Sequence, residues 1–357
     1  MEFLAGGRAE VRITRADVGK RVSVRRLTGG GAGVPAFTDA VGVLTSWDQG
    51  VLSITRRNGE TVRIEESSLV AAKVVPDRPA GARHGAARPS TGEPARRRGP
   101  AATARELQTV AARGWPAVET ARLGEWTLRA SGGFTRRANS VLPLGDPGVP
   151  LEAALERIGQ WYEERGLPPV IVVATGLADS DERLAAELAE RGWTDERYTT
   201  VRIAALAPLA DTDADTSRAL LSREPGADWL ALYNRTGEAA ASEEATRIAR
   251  QVLTGGPSVW FATVRGADGG TAAIGRLVVD GRWAGFAALE VAPAARRQGL
   301  ATLVMTALAE RALEEGASAA YLQVEADNAD ALAFYDRLGF TEHHGYHYRR
   351  ARPGGRR

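Results

Sequence analysis

The segment Val291–Met305, VAPAARRQGLATLVM, decides how the rest of the chain is interpreted. An apolar stretch ends there at Pro293, two arginines and Gly299 follow, and a helical pattern then begins. The first turn of a helix has N–H groups without partners and carries partial positive charge. Gly299 lets a ligand approach the backbone closely, while Arg296 and Arg297 add positive charge. The segment therefore predicts a phosphate site at a helix N-terminus.

Strand and helix patterns alternate on both sides of this segment. Glycine-turned runs before it predict an antiparallel meander over 259–266, 271–281 and 282–293. Apolar spacing after it predicts a helix over 299–316, a strand over 319–328, a helix over 329–340 and a closing strand over 341–350. The predicted fold class is α/β, with mixed sheets flanked by helices.

Two motifs in this region resemble the signatures of the GNAT superfamily, the GCN5-related N-acetyltransferases. ARRQGLA, over 295–301, is similar to the Arg/Gln-x-x-Gly-x-Gly/Ala signature, and the stretch Asn328–Phe340 is similar to the second signature. The likeness covers about 225–350 and implies acetyl-CoA as co-substrate. The whole layout resembles actinobacterial GNAT proteins that have an N-terminal SH3-like domain and a divergent first GNAT half.

The resemblance implies which residues hold the cofactor. Backbone groups of Leu289 and Val291 would bind the pantetheine arm where two strands splay apart, and Asn328 would bond to the same arm. Main-chain amides and the adjacent arginines would hold the pyrophosphate over the run Arg296, Arg297, Gln298, Gly299, Leu300, Ala301 and Thr302.

The resemblance also implies catalytic roles. Tyr335 would protonate the departing CoA thiolate, although it could instead be a core residue. The general base stays open between Glu290, Glu325 and a chain of waters. Trp229 and Tyr233 fall where helices of this family line the acceptor side, which predicts an aromatic wall there. The acceptor amine, the preferred acyl chain and the oligomeric state are left open.

Three histidines near the C-terminus, His343, His344 and His347, do not indicate a metal site, since no cysteine or clear fourth ligand accompanies them. We expect no metal cofactor. We expect these histidines at the sheet edge near the acceptor.

Residues 102–210 repeat the order of elements found in 211–350, which predicts two GNAT-like halves. When the two halves are aligned with an offset of 150 residues, Asp146 and Val149 correspond to Arg296 and Gly299 of the second half. With an offset of 147 residues, Leu188 corresponds to Tyr335. An aspartate there repels phosphate, so the first half is predicted to lack a cofactor site. We expect it to shape the acceptor pocket or to pair with the sheet of the second half.

The N-terminal region has a different character. Five short strand patterns in 1–75, with the hairpin signal Asn58-Gly59, predict a small SH3-like barrel. Segment 76–101 is rich in Pro, Gly, Ala and Arg and is predicted to be a disordered linker, and 351–357 is predicted to be a disordered tail.

Composition excludes several classes of protein. The 357 residues include 44% hydrophobic and 25% charged residues, the net charge is +2, and there is no cysteine. Disulfides, thiolate metal sites and a cysteine nucleophile are therefore excluded, and no bulk charge points to nucleic acid or membrane. The start of the chain lacks the features of a signal peptide, so we expect a cytoplasmic protein.

Two functions follow from these observations. The first is an N-acetyltransferase that moves an acetyl group from acetyl-CoA to an amine of a small molecule or protein. The alternative is a non-catalytic acyl-CoA sensor or adaptor whose N-terminal domain binds a protein partner. Tyr335 favours the enzyme, because a sensor does not need a general acid.

Overall fold

The computed structural model describes residues 11–28, 37–75, 99–233 and 242–352. The predicted linker, 76–101, lies outside the described residues except for its last three. The predicted tail, 351–357, lies outside them except for its first two.

The N-terminal region forms a five-stranded antiparallel sheet. Its strands are β1 (Arg21–Leu27), β2 (Phe37–Asp48), β3 (Val51–Thr55), β4 (Thr61–Glu65) and β5 (Leu69–Val74). They lie in the order β4-β3-β2-β1-β5, and the predicted Asn58-Gly59 turn joins β3 to β4, with Gly59 at φ +88°. No ladder joins β4 to β5 within the described residues, so the predicted closed SH3-like barrel is not confirmed.

The remaining strands and helices belong to the two predicted halves. The strands are β6 (Glu119–Leu123), β7 (Trp126–Ala130), β8 (Val170–Thr175), β9 (Thr194–Ala205), β10 (Ala219–Ser222), β11 (Ser258–Arg265), β12 (Thr271–Asp280), β13 (Trp283–Val291), β14 (Ala319–Glu325) and β15 (Thr341–Arg350). The helices are α1 (Ala104–Gly114), α2 (Leu151–Glu163), α3 (Glu182–Glu190), α4 (Ala227–Leu232), α5 (Glu243–Thr254), α6 (Leu300–Glu314) and α7 (Ala329–Arg337).

The two halves exchange their last strands. Eight strands form one mixed sheet in the order β10-β11-β12-β13-β14-β9-β15-β8, while β6 and β7 form a separate hairpin. Strand β9 of the first half pairs with β14 of the second, and β15 of the second half pairs with β8 of the first. The expected pairing of the first half with the sheet of the second is therefore confirmed, and both halves build the surface of one sheet.

Helix α6 packs in the main core beside this sheet. Its predicted apolar positions Leu300, Val304, Leu308 and Ala312 are all buried. The N-terminal sheet contacts the other end of the same helix, where the Thr38 hydroxyl donates to the Leu313 carbonyl at 3.0 Å. The Leu313 carbonyl also accepts the N–H of Gly316 at 3.0 Å. The N-terminal sheet thus contacts the C-terminal end of the helix that carries the first signature.

Candidate active site

The sheet opens at the predicted splay. Strands β13 and β14 run parallel and pair only from Trp283 opposite Ala319 to Phe286 opposite Leu322. Both strands continue beyond that point, to Val291 and Glu325. Their backbone groups after Phe286 no longer bond to each other, so the edges of both strands are available to a ligand.

A β-bulge in β13 lies within this opening. Ile274 faces Glu290 and Arg276 faces Ala287, so that two residues of β13 oppose Gly275 alone. Ala288 has φ +52°, a left-handed conformation that is uncommon for a residue with a side chain. Bulges of this kind redirect the strand next to active sites. This bulge places Leu289 and Glu290 on the wall of the opening.

Gly275 allows helix α6 to pack directly behind the bulge. A Cβ atom at this position would lie 2.5 Å from Cγ1 of Val304 and 3.1 Å from Cδ1 of Leu308. The Gly275 carbonyl accepts a hydrogen bond from Nε1 of Trp229 at 3.3 Å. The strand opposite the bulge thus packs against α6 on one face and accepts a hydrogen bond from Trp229 of α4.

The start of α6 has the geometry of an anion site. Arg297 has φ +62° and Gly299 has φ +76°, and both are exposed. Leu303 N–H makes the first bond inside the helix, to the Gly299 carbonyl at 3.0 Å. The N–H groups of the first helical turn have no partner in the helix, and backbone with left-handed residues can direct such groups at one anion. A Cβ atom at Gly299 would contact no other atom within 4 Å. The left-handed φ, rather than protein packing, explains the glycine.

In the corresponding segment of the first half, backbone N–H groups are already hydrogen-bonded to carboxylates. Asp146 N–H donates to Glu125 at 2.7 Å, and Gly148 N–H donates to the Asp146 carboxylate at 2.6 Å. Pro150 stands at the N-cap of α2 and has no N–H. Two carboxylates and a proline occupy the place where the second half presents N–H groups, which supports the prediction that the first half lacks a cofactor site.

We expect one acetyl-CoA to bind per chain, because only the second half presents such a helix start. Isothermal titration of the full chain with acetyl-CoA should give a stoichiometry near one. Two equivalent sites would contradict the assignment of the first half as inactive.

A cleft of about 880 Å³ begins at the splay. Its walls include six residues that the sequence placed at the site: Tyr233, Leu289, Glu290, Glu325, Asn328 and Tyr335. The pyrophosphate positions 296–302 do not line it. The proposed phosphate positions thus lie at the start of α6, outside the residues that line the cleft.

Asn328 and Tyr335 each have a structural role as well. The Asn328 side chain accepts the N–H of Ala331 at 3.1 Å and thereby caps α7. Tyr335 is half-buried, and its ring lies 5.7 Å from the ring of Phe340. Both residues also line the cleft, so these packing roles do not exclude a role toward a ligand.

The predicted aromatic wall is only half present. Tyr233 lines the cleft and Trp229 does not. Both side chains are only 1% exposed, and their rings stack with centroids 5.3 Å apart.

The three histidines do not line the cleft either. Nε2 of His344 hydrogen-bonds Nε2 of Gln108 at 2.9 Å, and burial lowers the pKa of His344 to about 4. His347 stacks on Tyr198 with ring centroids 4.9 Å apart. Tyr346 and Tyr348, which alternate with His347 along β15, line the cleft instead. The expectation that these histidines lie at the sheet edge is wrong, because β15 lies between β9 and β8.

Sequence reasoning missed most of the wall that the first half contributes. That wall includes Trp115, Thr135, Arg136, Arg137, Asn139 and Arg197. No motif marks these residues, and the strand exchange that brings them to the cleft joins distant parts of the chain. The sequence predicted only that the first half shapes the acceptor pocket, and not which of its residues do so.

Within the described ranges, no cluster of three or more His, Cys, Asp or Glu residues has the arrangement of a metal site. Nor does any helix in these ranges combine the length and apolar character needed to cross a bilayer.

A mixed sheet that splays beside a glycine-started helix, with a cleft below the splay, defines a GNAT-type acyltransferase. Residues 101–349 match the family described as "Probable histone acetyltransferase Rv0428c C-terminal". The chain belongs to this family. Residues 16–73 match the "Rv0428c N-terminal Sm-like domain", so the N-terminal sheet is Sm-like in this comparison.

Named relatives agree with this assignment. The chain is 29% identical over 339 residues to "Probable histone acetyltransferase Rv0428c" of Mycobacterium tuberculosis, covering 95% of this chain and 97% of that protein. It is 28% identical over 251 residues to "Uncharacterized N-acetyltransferase YobR" of Bacillus subtilis, covering 69% of this chain and 97% of that protein. A solved GCN5-related N-acetyltransferase from Kribbella flavida is similar in fold, with TM-score 0.51 and 19% identity over 71% of this chain and 96% of that one.

Proposed function

We propose that this protein transfers an acetyl group directly from acetyl-CoA to a primary amine. The names of its relatives imply acetyl-CoA as the donor. The observation that carries the proposal is the joint placement of Glu290, Asn328 and Tyr335 around one cleft at the splay. In this proposal the first turn of α6 holds the pyrophosphate, and the free edge of β13 with Asn328 holds the pantetheine arm.

The composition favours direct transfer. The chain has no cysteine, so it has no thiol that could carry the acetyl group. The neutral amine attacks the thioester carbonyl, a C–N bond forms, and the C–S bond breaks. The amine nitrogen loses one proton and the CoA thiolate gains one. Tyr335 is the proposed donor of that second proton.

Glu290 is our candidate for the group that removes the amine proton, directly or through water. Glu325 is the other candidate, and its carboxylate forms an ion pair with Arg197 at 3.4 Å. Glu290 lies on the bulge at the cleft wall.

Initial-rate kinetics test this proposal. Because the protein contains no cysteine, release of CoA thiol can be followed with a thiol reagent without background from the protein. The amines should include small molecules and, given the name of the mycobacterial relative, lysine-containing histone peptides. Intersecting double-reciprocal lines are expected for a ternary complex. Parallel lines or an isolable acetyl-protein would contradict direct transfer.

The non-catalytic alternative makes a different prediction. A sensor would bind acetyl-CoA tightly but would release no CoA with any amine, and mass spectrometry would find no acetylated product. The cleft disfavours this alternative, because it extends past the splay to a wall built by the first half. The part of the cleft beyond the splay can accommodate a second substrate, which a sensor would not require.

A further inference from the structure

Three arginines, Arg129, Arg276 and Arg137, lie near enough to one another that the charge of Arg137 affects the other two, and of the three only Arg137 lines the cleft. Arg129 bonds to the carbonyl and hydroxyl of Ser140, each at 2.8 Å. Arg276 bonds to three backbone carbonyls, those of Leu253, Gly114 and Gly255. Carbonyl oxygens satisfy the donors of these guanidinium groups but do not neutralise their charge.

The third arginine, Arg137, lines the cleft itself. Its guanidinium lies over the ring of Trp115, 5.1 Å from the ring centroid. Burial lowers the pKa of Arg137, but nearby tyrosines, Tyr346 and Tyr348 foremost, more than offset this effect. Its positive charge in turn contributes to lowering the pKa of Arg129 and of Arg276, after burial as the main cause.

Arg137 differs from the other arginines of the cleft in its partners. Arg136 forms an ion pair with Glu196, Arg350 lies 4.0 Å from the same carboxylate, and Arg197 pairs with Glu325. Among the described residues, no carboxylate forms an ion pair with Arg137. Since a cation in a partly buried site is costly without a counter-charge, this position is suited to an anion from outside the chain.

The loop that carries Arg137 is held rigidly. The Asn139 side chain accepts the N–H groups of Ser131 and Gly133 at 2.8 and 3.0 Å. It also donates to the carbonyls of Phe134 and Thr135 at 2.8 and 2.7 Å. Four bonds from one buried amide fix the turn immediately before Arg137, so little conformational entropy is lost when the guanidinium binds a ligand.

We infer that Arg137 binds an anionic group, a carboxylate or a phosphate, on the amine that accepts the acetyl group. Cofactor phosphates are the other available anions, but the proposed pyrophosphate positions 296–302 do not line this cleft. Guanidinium groups match the planar oxygens of a carboxylate and the oxygens of a phosphate. The inference rests on the proposed function, because it assigns the first-half wall to the acceptor.

Matched pairs of amines test the inference. Free amino acids are compared with their carboxamides, and glucosamine 6-phosphate is compared with glucosamine, with CoA release as the readout. We expect the preferred acceptor to carry the anion and its neutral analogue to show kcat/KM lower by about tenfold or more. Arg137→Gln should remove this preference. The matched control Arg136→Gln removes the same charge from an existing ion pair and should retain the preference.

A binding measurement separates the two claims. Each anionic amine and its neutral analogue is used in its N-acetylated form, without acetyl-CoA. The shift in melting temperature that each compound causes is measured for the parent protein and for Arg137→Gln. Anion-dependent stabilisation that Arg137→Gln loses would support the inference even if no amine were turned over, in which case the proposed function alone would fail. Turnover of neutral amines at rates equal to their anionic partners would overturn the inference and leave the proposed function standing. It would also be overturned if acetyl-CoA bound but no anionic compound of either series bound or reacted.

Discussion

Gly299→Glu is expected to abolish acetyl-CoA binding while the chain stays folded. Gly299 is exposed, and a Cβ atom there would meet no protein atom within 4 Å. The new carboxylate would lie at the N–H groups that are proposed to hold the pyrophosphate, and it would repel the phosphates. Isothermal titration should detect binding by the parent and none by the variant.

Backbone strain needs its own control, since Gly299 has φ +76° and a residue with a side chain costs about 1–2 kcal/mol in that region. Gly269 offers a close match: it has φ +78°, is exposed, and has no atom within 4 Å of an added Cβ. Gly269→Glu introduces the same strain and charge in the turn between β11 and β12. We expect its melting temperature to fall as for Gly299→Glu and its acetyl-CoA affinity to stay at the parental value. Unchanged affinity in Gly299→Glu would place the cofactor elsewhere.

The parts of the site that sequence could predict are the local ones. A helix start is determined by a few consecutive residues, so a glycine and two arginines after a proline predicted a helix from 299, and α6 begins at Leu300. The helix positions of Leu300 and Val304 likewise follow from a period of 3.6 residues. The splay was predicted near Leu289 from family resemblance, and the pairing of β13 with β14 does end at Phe286.

The parts that sequence could not predict depend on contacts between distant segments. Strand β9 lies between β14 and β15. Its sequence does not predict that it pairs with two strands of the second half. This exchange brings the loop before Asn139 to the cleft. Along β15, a period of two separates His347 from Tyr346 and Tyr348, but only the packed structure shows which side of the sheet is the cleft. Likewise, the sequence placed Trp229 and Tyr233 at the site together, but only the packed structure shows that Tyr233 lines the cleft and Trp229 does not.

Tyr335→Phe is expected to lower kcat by about 10²–10⁴-fold, the usual contribution of a positioned general acid. The substitution removes one hydroxyl and keeps the ring that packs near Phe334 and Phe340. The melting temperature and the affinity for acetyl-CoA should therefore stay close to those of the parent. Single-turnover measurements at saturating acetyl-CoA isolate the chemical step from cofactor binding.

Tyr233→Phe is the matched comparison, because Tyr233 also lines the cleft but is proposed to face the acceptor. Its hydroxyl has no assigned part in protonating the thiolate. We therefore expect Tyr233→Phe to raise the KM for the amine and to leave kcat close to that of the parent. In the parent, turnover should rise with pH until the attacking amine is neutral, because only the free base is a nucleophile. Tyr335→Phe should keep this rise and lower its plateau, since the loss affects the leaving thiolate and not the amine. If the plateau equals that of the parent, Tyr335 is a packing residue and water protonates the thiolate.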